Sequence, residues 1–115
     1  MITFLLLLQI KHWYIDFVAQ TNEMVQGKGI YGNKIGIWHS AQHGLATMVI
    51  CFLFTNLPFA LFIGIIDFVS HYHIDWVKMN YGNRDISTPA FWNHLGLDQM
   101  AHQIVYLILV LILLL

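Results

Sequence analysis

His94-Leu-Gly-Leu-Asp98-Gln-Met-Ala-His102-Gln-Ile-Val-Tyr-Leu-Ile-Leu-Val-Leu-Ile-Leu-Leu-Leu115 decides how the rest of the chain is read. Its first half repeats an ionisable residue every four positions, which on a helix of about 3.6 residues per turn stacks His94, Asp98 and His102 on one face. Its second half is almost entirely Leu, Ile and Val. Three other stretches share this design: His12 with Asp16, His39 with His43, and Asp67 with His71 and Asp75. Each such stripe adjoins a strongly apolar run. Ionisable groups in those surroundings are costly unless they meet one another or a metal.

The composition agrees with a chain built for lipid. The 115 residues are 58% hydrophobic and 10% charged, with a mean hydropathy of +0.65, whereas soluble domains run at roughly 25% charged. A net charge of −1 lacks the basic footprint that nucleic acid requires. Cys51, the single cysteine, lies inside an apolar run and reads as a small packing residue. The opening Met1-Ile-Thr-Phe-Leu-Leu-Leu-Leu8 has no positive residues before it and no small-residue cleavage site after it, so it reads as a retained helix and not a signal peptide.

One membrane domain over residues 1–115 is therefore expected. It would be an all-α, integral membrane, four-helix up-down bundle with helices at about 2–20, 35–55, 58–79 and 89–115. Thr55-Asn56-Leu57-Pro58 and Ser87-Thr88-Pro89 supply the cap-then-proline starts of the last two. The purely apolar run of each helix falls short of the roughly 20 residues a bilayer core needs. The polar stripes make up the remainder, shielded between helices. The stripes lie late in helices 1 and 3 and early in helices 2 and 4, so antiparallel packing gathers them at one end. Lys11, Lys28, Lys34, Lys78 and Arg84 flank or occupy that end. By the positive-inside rule it faces the cytoplasm of a bacterial inner membrane, with loops 21–34 and 80–88 inside and both termini outside. Trp13, Trp38, Trp76 and Trp92 sit at the level of an interfacial belt.

The stripes use six of the seven histidines and four of the six acidic residues. Imidazole and carboxylate together suit a divalent transition metal, zinc first, with iron or manganese compatible. The candidate ligands are His12, Asp16, His39, His43, His71, Asp75, Asp98 and His102, enough for one or two ions. Asp16, Asp75 and Asp98 are the candidate catalytic carboxylates, since whichever is not coordinating can serve as general base. A metal-free His–Asp network joining the helices is the alternative. Asp67 lies deeper in its helix and reads as a ligand, a proton acceptor or a partner of His43. His73 is on a different face from His71 and reads as interfacial, and Lys11 and Lys78 as side chains reaching toward head groups. Gln20, Gln42, Gln99 and Gln103 are placed to complete hydrogen bonds around the site. Gly27-Lys-Gly29-Ile-Tyr-Gly32 matches G-x-G-x-x-G but follows a helix, so it reads as a pliable cover and not as a dinucleotide loop.

His12-x-x-x-Asp16-Phe-x-x-Gln20, His39, His71-x-x-x-Asp75-x-x-Lys78 and Asp98-Gln99-x-x-His102 together resemble the signature of a family of small membrane proteins from bacteria and their phages, described as a domain of unknown function. The resemblance covers nearly the whole chain. It implies a four-helix membrane protein with His/Asp signature residues and brings no activity with it. It also implies that His43, Asp67 and His94 lie outside the signature. More loosely, the chain is similar to inner-membrane metal-dependent hydrolases.

The expected function is a metal-dependent hydrolase acting on a lipid-like, membrane-proximal substrate at the cytoplasmic face, with the bilayer as partner and oligomers open. A di-iron oxidase fits His39-x-x-x-His43 but lacks the H-x-x-H-H boxes. A non-enzymatic phage or complex subunit, or an ion or proton relay, is the rival from another class. The apolar outer half of every helix speaks against a conducting path.

Overall fold

The computed structural model describes residues 1–115, all helix and connecting turns with no strand. There are five α-helices: α1 Ile2–Trp13, α2 Asn22–Gly27, α3 Lys34–Phe52, α4 Leu57–Tyr81 and α5 Pro89–Leu114. Four match the expected elements. The fifth, α2, is a correction: the 21–34 connection contains a short helix capped by Thr21, whose hydroxyl accepts from the Met24 amide. The first helix is also not uniform. After Trp13 it widens into a π-helical turn, Tyr14–Val18, closed by the Ala19 amide donating to the Tyr14 carbonyl. Such turns redirect the side chains they carry and recur at functional sites. Asp16 sits in this one.

The remaining starts follow local chemistry. Asn33 Oδ1 accepts from the amides of Ile35 and Gly36, Asn56 accepts from Phe59, and Thr88 accepts from Phe91. Pro58 and Pro89 occupy first-turn positions, where a missing N–H costs nothing.

Packing runs in a ring, α1 against α3, α3 against α4, α4 against α5, and α5 back to α1. Two internal clusters show that neighbours run in opposite directions. Phe4 and Leu8 meet Cys51, Ala60, Ile63, Tyr106 and Leu109 at one end. His12 and Asp16 meet His39, His43, His71, Asp75 and His102 at the other. The α3–α4 crossing is close. A Cβ on Gly44 would lie 2.8 Å from the Gly64 carbonyl oxygen, and one on Gly64 would lie 2.7 Å from that of Gly44. Backbones this close exclude any side chain larger than hydrogen.

The molecule is inverted relative to a soluble domain. Lys, His, Asp and Thr side chains fill much of its interior, while Leu107, Leu111, Leu61, Phe62 and Val49 lie half exposed or more. Two helices, α4 and α5, are long and apolar enough to cross a membrane. The polar positions that dilute α3 and the π-helical break after α1 keep the other two below that mark.

Candidate metal centre

Each long helix brings its stripe to one buried focus. Asp16 comes from the π-helical turn, His39 and His43 from the first half of α3, His71 and Asp75 from the second half of α4, and Asp98 and His102 from the middle of α5. His39, His43, His71 and Asp75 are wholly buried, and Asp16, Asp98, His102 and His12 nearly so. Asp16, His39, His43 and His71 each place a donor atom within 4.8 Å of the others, and so do His71, Asp75 and His102. Their imidazoles are layered. The His71 ring stacks on His43 at 3.6 Å and on His102 at 4.1 Å.

The individual separations discriminate between an ion's donor shell and a hydrogen-bonded network. Donors around one ion with bonds of about 2.0–2.2 Å stand roughly 2.8–3.6 Å apart, depending on coordination number. His39 Nε2 lies 3.0 Å from Asp16 Oδ1 and 3.5 Å from Asp75 Oδ2. His71 Nε2 lies 3.1 Å from Asp75 Oδ2 and 3.6 Å from Asp16 Oδ1. None of these four contacts is aligned as a hydrogen bond, and both nitrogens of His39 and of His71, with Asp75 Oδ2, have no partner. Buried polar atoms are rarely left so. Four donors close together and not satisfying one another fit a shared central cation.

Most of the surrounding side chains are satisfied, Asp98 Oδ1 being the exception among the carboxylates. An ammonium can only donate. Lys11 Nζ donates to Asp67 Oδ2 at 2.6 Å, to His43 Nδ1 at 3.0 Å and to the His43 carbonyl at 3.5 Å. Nδ1 of His43 therefore accepts, its proton resides on Nε2, and that N–H donates to Asp16 Oδ1 at 2.7 Å. His12 is held between Tyr106 Oη and Gln99 Oε1, both at 2.8 Å. His102 Nε2 donates to Asp75 Oδ1 at 3.2 Å. Asp98 Oδ2 accepts from Gln99 at 3.0 Å and Lys78 at 3.4 Å, while its Oδ1, 3.5 Å from His102, has no hydrogen bond. Four carboxylates in this interior, Asp16, Asp67, Asp75 and Asp98, stand against three ammoniums, Lys11, Lys28 and Lys78. With the imidazoles neutral, as metal ligands are, this leaves one carboxylate charge for a further cation to offset.

Several expectations change here. Lys11 does not reach toward head groups. It is 7% exposed and paired with Asp67, which also accepts from Thr47 and so is not the partner of His43. Lys28 is 2% exposed, held by Gln20 Oε1 at 2.9 Å with Asp75 Oδ2 3.5 Å away. It enters because α2 lies on the start of α3, with Gly27 and Gly36 in backbone contact. Two of the five basic residues thus serve the interior and not the flank. His94 stands apart from Asp98 and His102, its Nδ1 accepting from the Asn83 amide at 2.8 Å and fastening the loop before α5. His73 is exposed at the surface, bonded to Tyr31 at 2.9 Å. Gln20 and Gln99 complete bonds as expected, Gln103 pairs with Gln9, and Gln42 Oε1 has no partner.

Fold and site together define an all-helical protein with two helices able to cross a membrane and a buried His/Asp cluster able to hold a metal ion. A family model described as "Protein of unknown function (DUF3307)" matches residues 2–115, and the chain belongs to that family. No curated protein and no solved structure matches it.

Proposed function

We propose that this is an integral membrane four-helix bundle that holds one divalent transition-metal ion, zinc first, between Asp16, His39, His71 and Asp75, and that it hydrolyses a lipid-like ester at the cytoplasmic face. The observation that carries this reading is the set of unpartnered donors on His39, His71 and Asp75, spaced as ligands of one ion are. Because one imidazole nitrogen binds one ion, His71, common to both donor groups, favours a single centre.

The ion supplies Lewis acidity, polarising a carbonyl or phosphoryl oxygen and activating water. The chain's own groups do the rest. His43 and His12 hold Asp16 and the α1–α5 contact, and His102 holds Asp75, as outer hydrogen bonds orient ligands elsewhere. Asp98 is the general base, since it alone among the carboxylates near the centre both carries an oxygen without a hydrogen bond, Oδ1, and belongs to the lining of an open groove. Water attack splits the ester into an acid and an alcohol. Asp98 takes the water proton and returns it to the departing alkoxide. Lys34 and Arg84, with Lys78, support a cytoplasmic site with loops 21–34 and 80–88 inside.

A second reading, a metal-free network joining the helices of a non-enzymatic subunit, is favoured by the pairs that close without an ion, Lys11–Asp67 and His43–Asp16. Elemental analysis of protein purified in mild detergent separates the two. About one equivalent of metal per chain, removed by chelator and absent from His39→Ala and His71→Ala, is expected, with chelator-sensitive cleavage of lipid esters. Protein that carries no stoichiometric metal, and whose melting temperature ignores both chelator and added zinc, returns the network reading.

A further inference from the structure

A groove of about 420 Å³ runs between α4 and α5, within the range of ligand pockets. Ile74, Val77, Leu97 and Ala101 wall it, and Lys78 and Asp98 belong to the same lining. His73, which belongs to its lining, also edges a separate hollow on α4 lined by Ile65, Ile66, Val69 and Ser70. Two observations point to a ligand. Asp98 has a buried oxygen without a partner, and its side chain is 1% exposed. Lys78 is 23% exposed, and its only bond is the loose one to Asp98 at 3.4 Å, which leaves two N–H donors free.

We propose that this groove is the substrate subsite of the centre and that its occupant is an acyl lipid with a phosphate head. The inference rests on the membrane metal-centre reading and adds the substrate class to it. The chain lies along Ile74, Val77, Leu97 and Ala101, where apolar walls exclude water. The phosphate meets the free donors of Lys78, an ammonium acting as a point charge on an anion. Lys78 stands beside Asp98 and so offsets the repulsion between the phosphate and that carboxylate. Asp98 then lies beside the polar end of the lipid and not along its chain.

Photocrosslinking on the full-length protein in detergent micelles tests this. The probes are phosphatidic acid and diacylglycerol carrying the same diazirine-bearing chains, with adducts mapped by peptide mass spectrometry and metal content measured on the same samples. Adducts are expected within residues 73–82 and 94–101, about tenfold stronger for phosphatidic acid, the difference one charge-assisted hydrogen bond makes. Lys78→Met should erase the preference, and Ala101→Trp should block the groove for both probes. Both variants should keep wild-type metal content, because neither residue is one of the proposed ligands and the one side-chain bond of Lys78 is to Asp98. Equal labelling by the two probes overturns the proposal. So do adducts spread evenly onto the α3–α4 face around Leu61, and so do chain-to-chain adducts in place of lipid, which would assign the groove to a second copy. Groove adducts on protein that binds no metal would support the lipid site while refuting the metal centre.

Discussion

Phe4, Leu8, Ile63 and Leu109 at one end of the long helices, and His12, Asp16, His71 and His102 at the other, occupy inward-facing positions one to three turns apart on the same helices. The first group is a small apolar core. The second is a charged interior of comparable burial. Tyr106 joins them, its ring within the apolar cluster and its hydroxyl bonded to His12. In water the apolar end would dominate stability, because burial there gains roughly 25 cal/mol per Å². In lipid that gain shrinks, since the surroundings are as apolar as the core, and packing with polar contacts carries helix association. The difference teaches that the charged end is where this fold is specified, and the apolar end is where it is filled.

If so, the largest loss should follow from unpairing a charge. Lys11→Met strands Asp67 in a dry interior and should cost about 3–5 kcal/mol, with much of it returned in the Lys11→Met/Asp67→Leu double variant. Thermal or denaturant unfolding in detergent, run as a double-mutant cycle, reads both numbers. Equal losses in the single and double variants would break the comparison. In the apolar core Leu109→Ala should cost about 2–3 kcal/mol by leaving a cavity, yet leave metal content unchanged. A loss of metal in that variant would mean the two ends are not separable. Gly64→Ala should cost about 1–3 kcal/mol, because the new Cβ meets the Gly44 carbonyl, and it tests whether the α3–α4 crossing sets the spacing of both ends. Leu107→Ala, half exposed and outside both clusters, should shift stability by no more than about 0.5 kcal/mol.

Much of the charged end was legible because helical periodicity writes it directly. Four-residue spacing placed His12 with Asp16, His71 with Asp75 and Asp98 with His102, and opposite helix directions brought them together. The caps at Asn56 and Thr88 were legible for the same local reason. Lys11 was misread because lysine is seldom fully buried. The signal was present all the same: Leu8, Lys11 and Ile15 follow a three- and four-residue spacing, and all three are buried. Lys28 had no such signal. It is buried through the Gly27–Gly36 contact, which joins two segments by tertiary packing and leaves no period in the sequence. The stripe that includes His94 failed for the opposite reason, since its spacing is right but its nitrogen is taken by the loop amide of Asn83. The π-helical turn at Asp16 likewise has no composition that announces it.

The central claim is that His39, His71, Asp16 and Asp75 surround a single cation, and X-ray absorption at the metal edge of purified protein tests it most directly. The account predicts a first shell of nitrogen and oxygen at about 2.0–2.2 Å with the multiple-scattering signature of two imidazoles, lost in His71→Ala. A shell built from solvent and detergent oxygens without imidazole scattering, the same in wild type and His71→Ala, would contradict it.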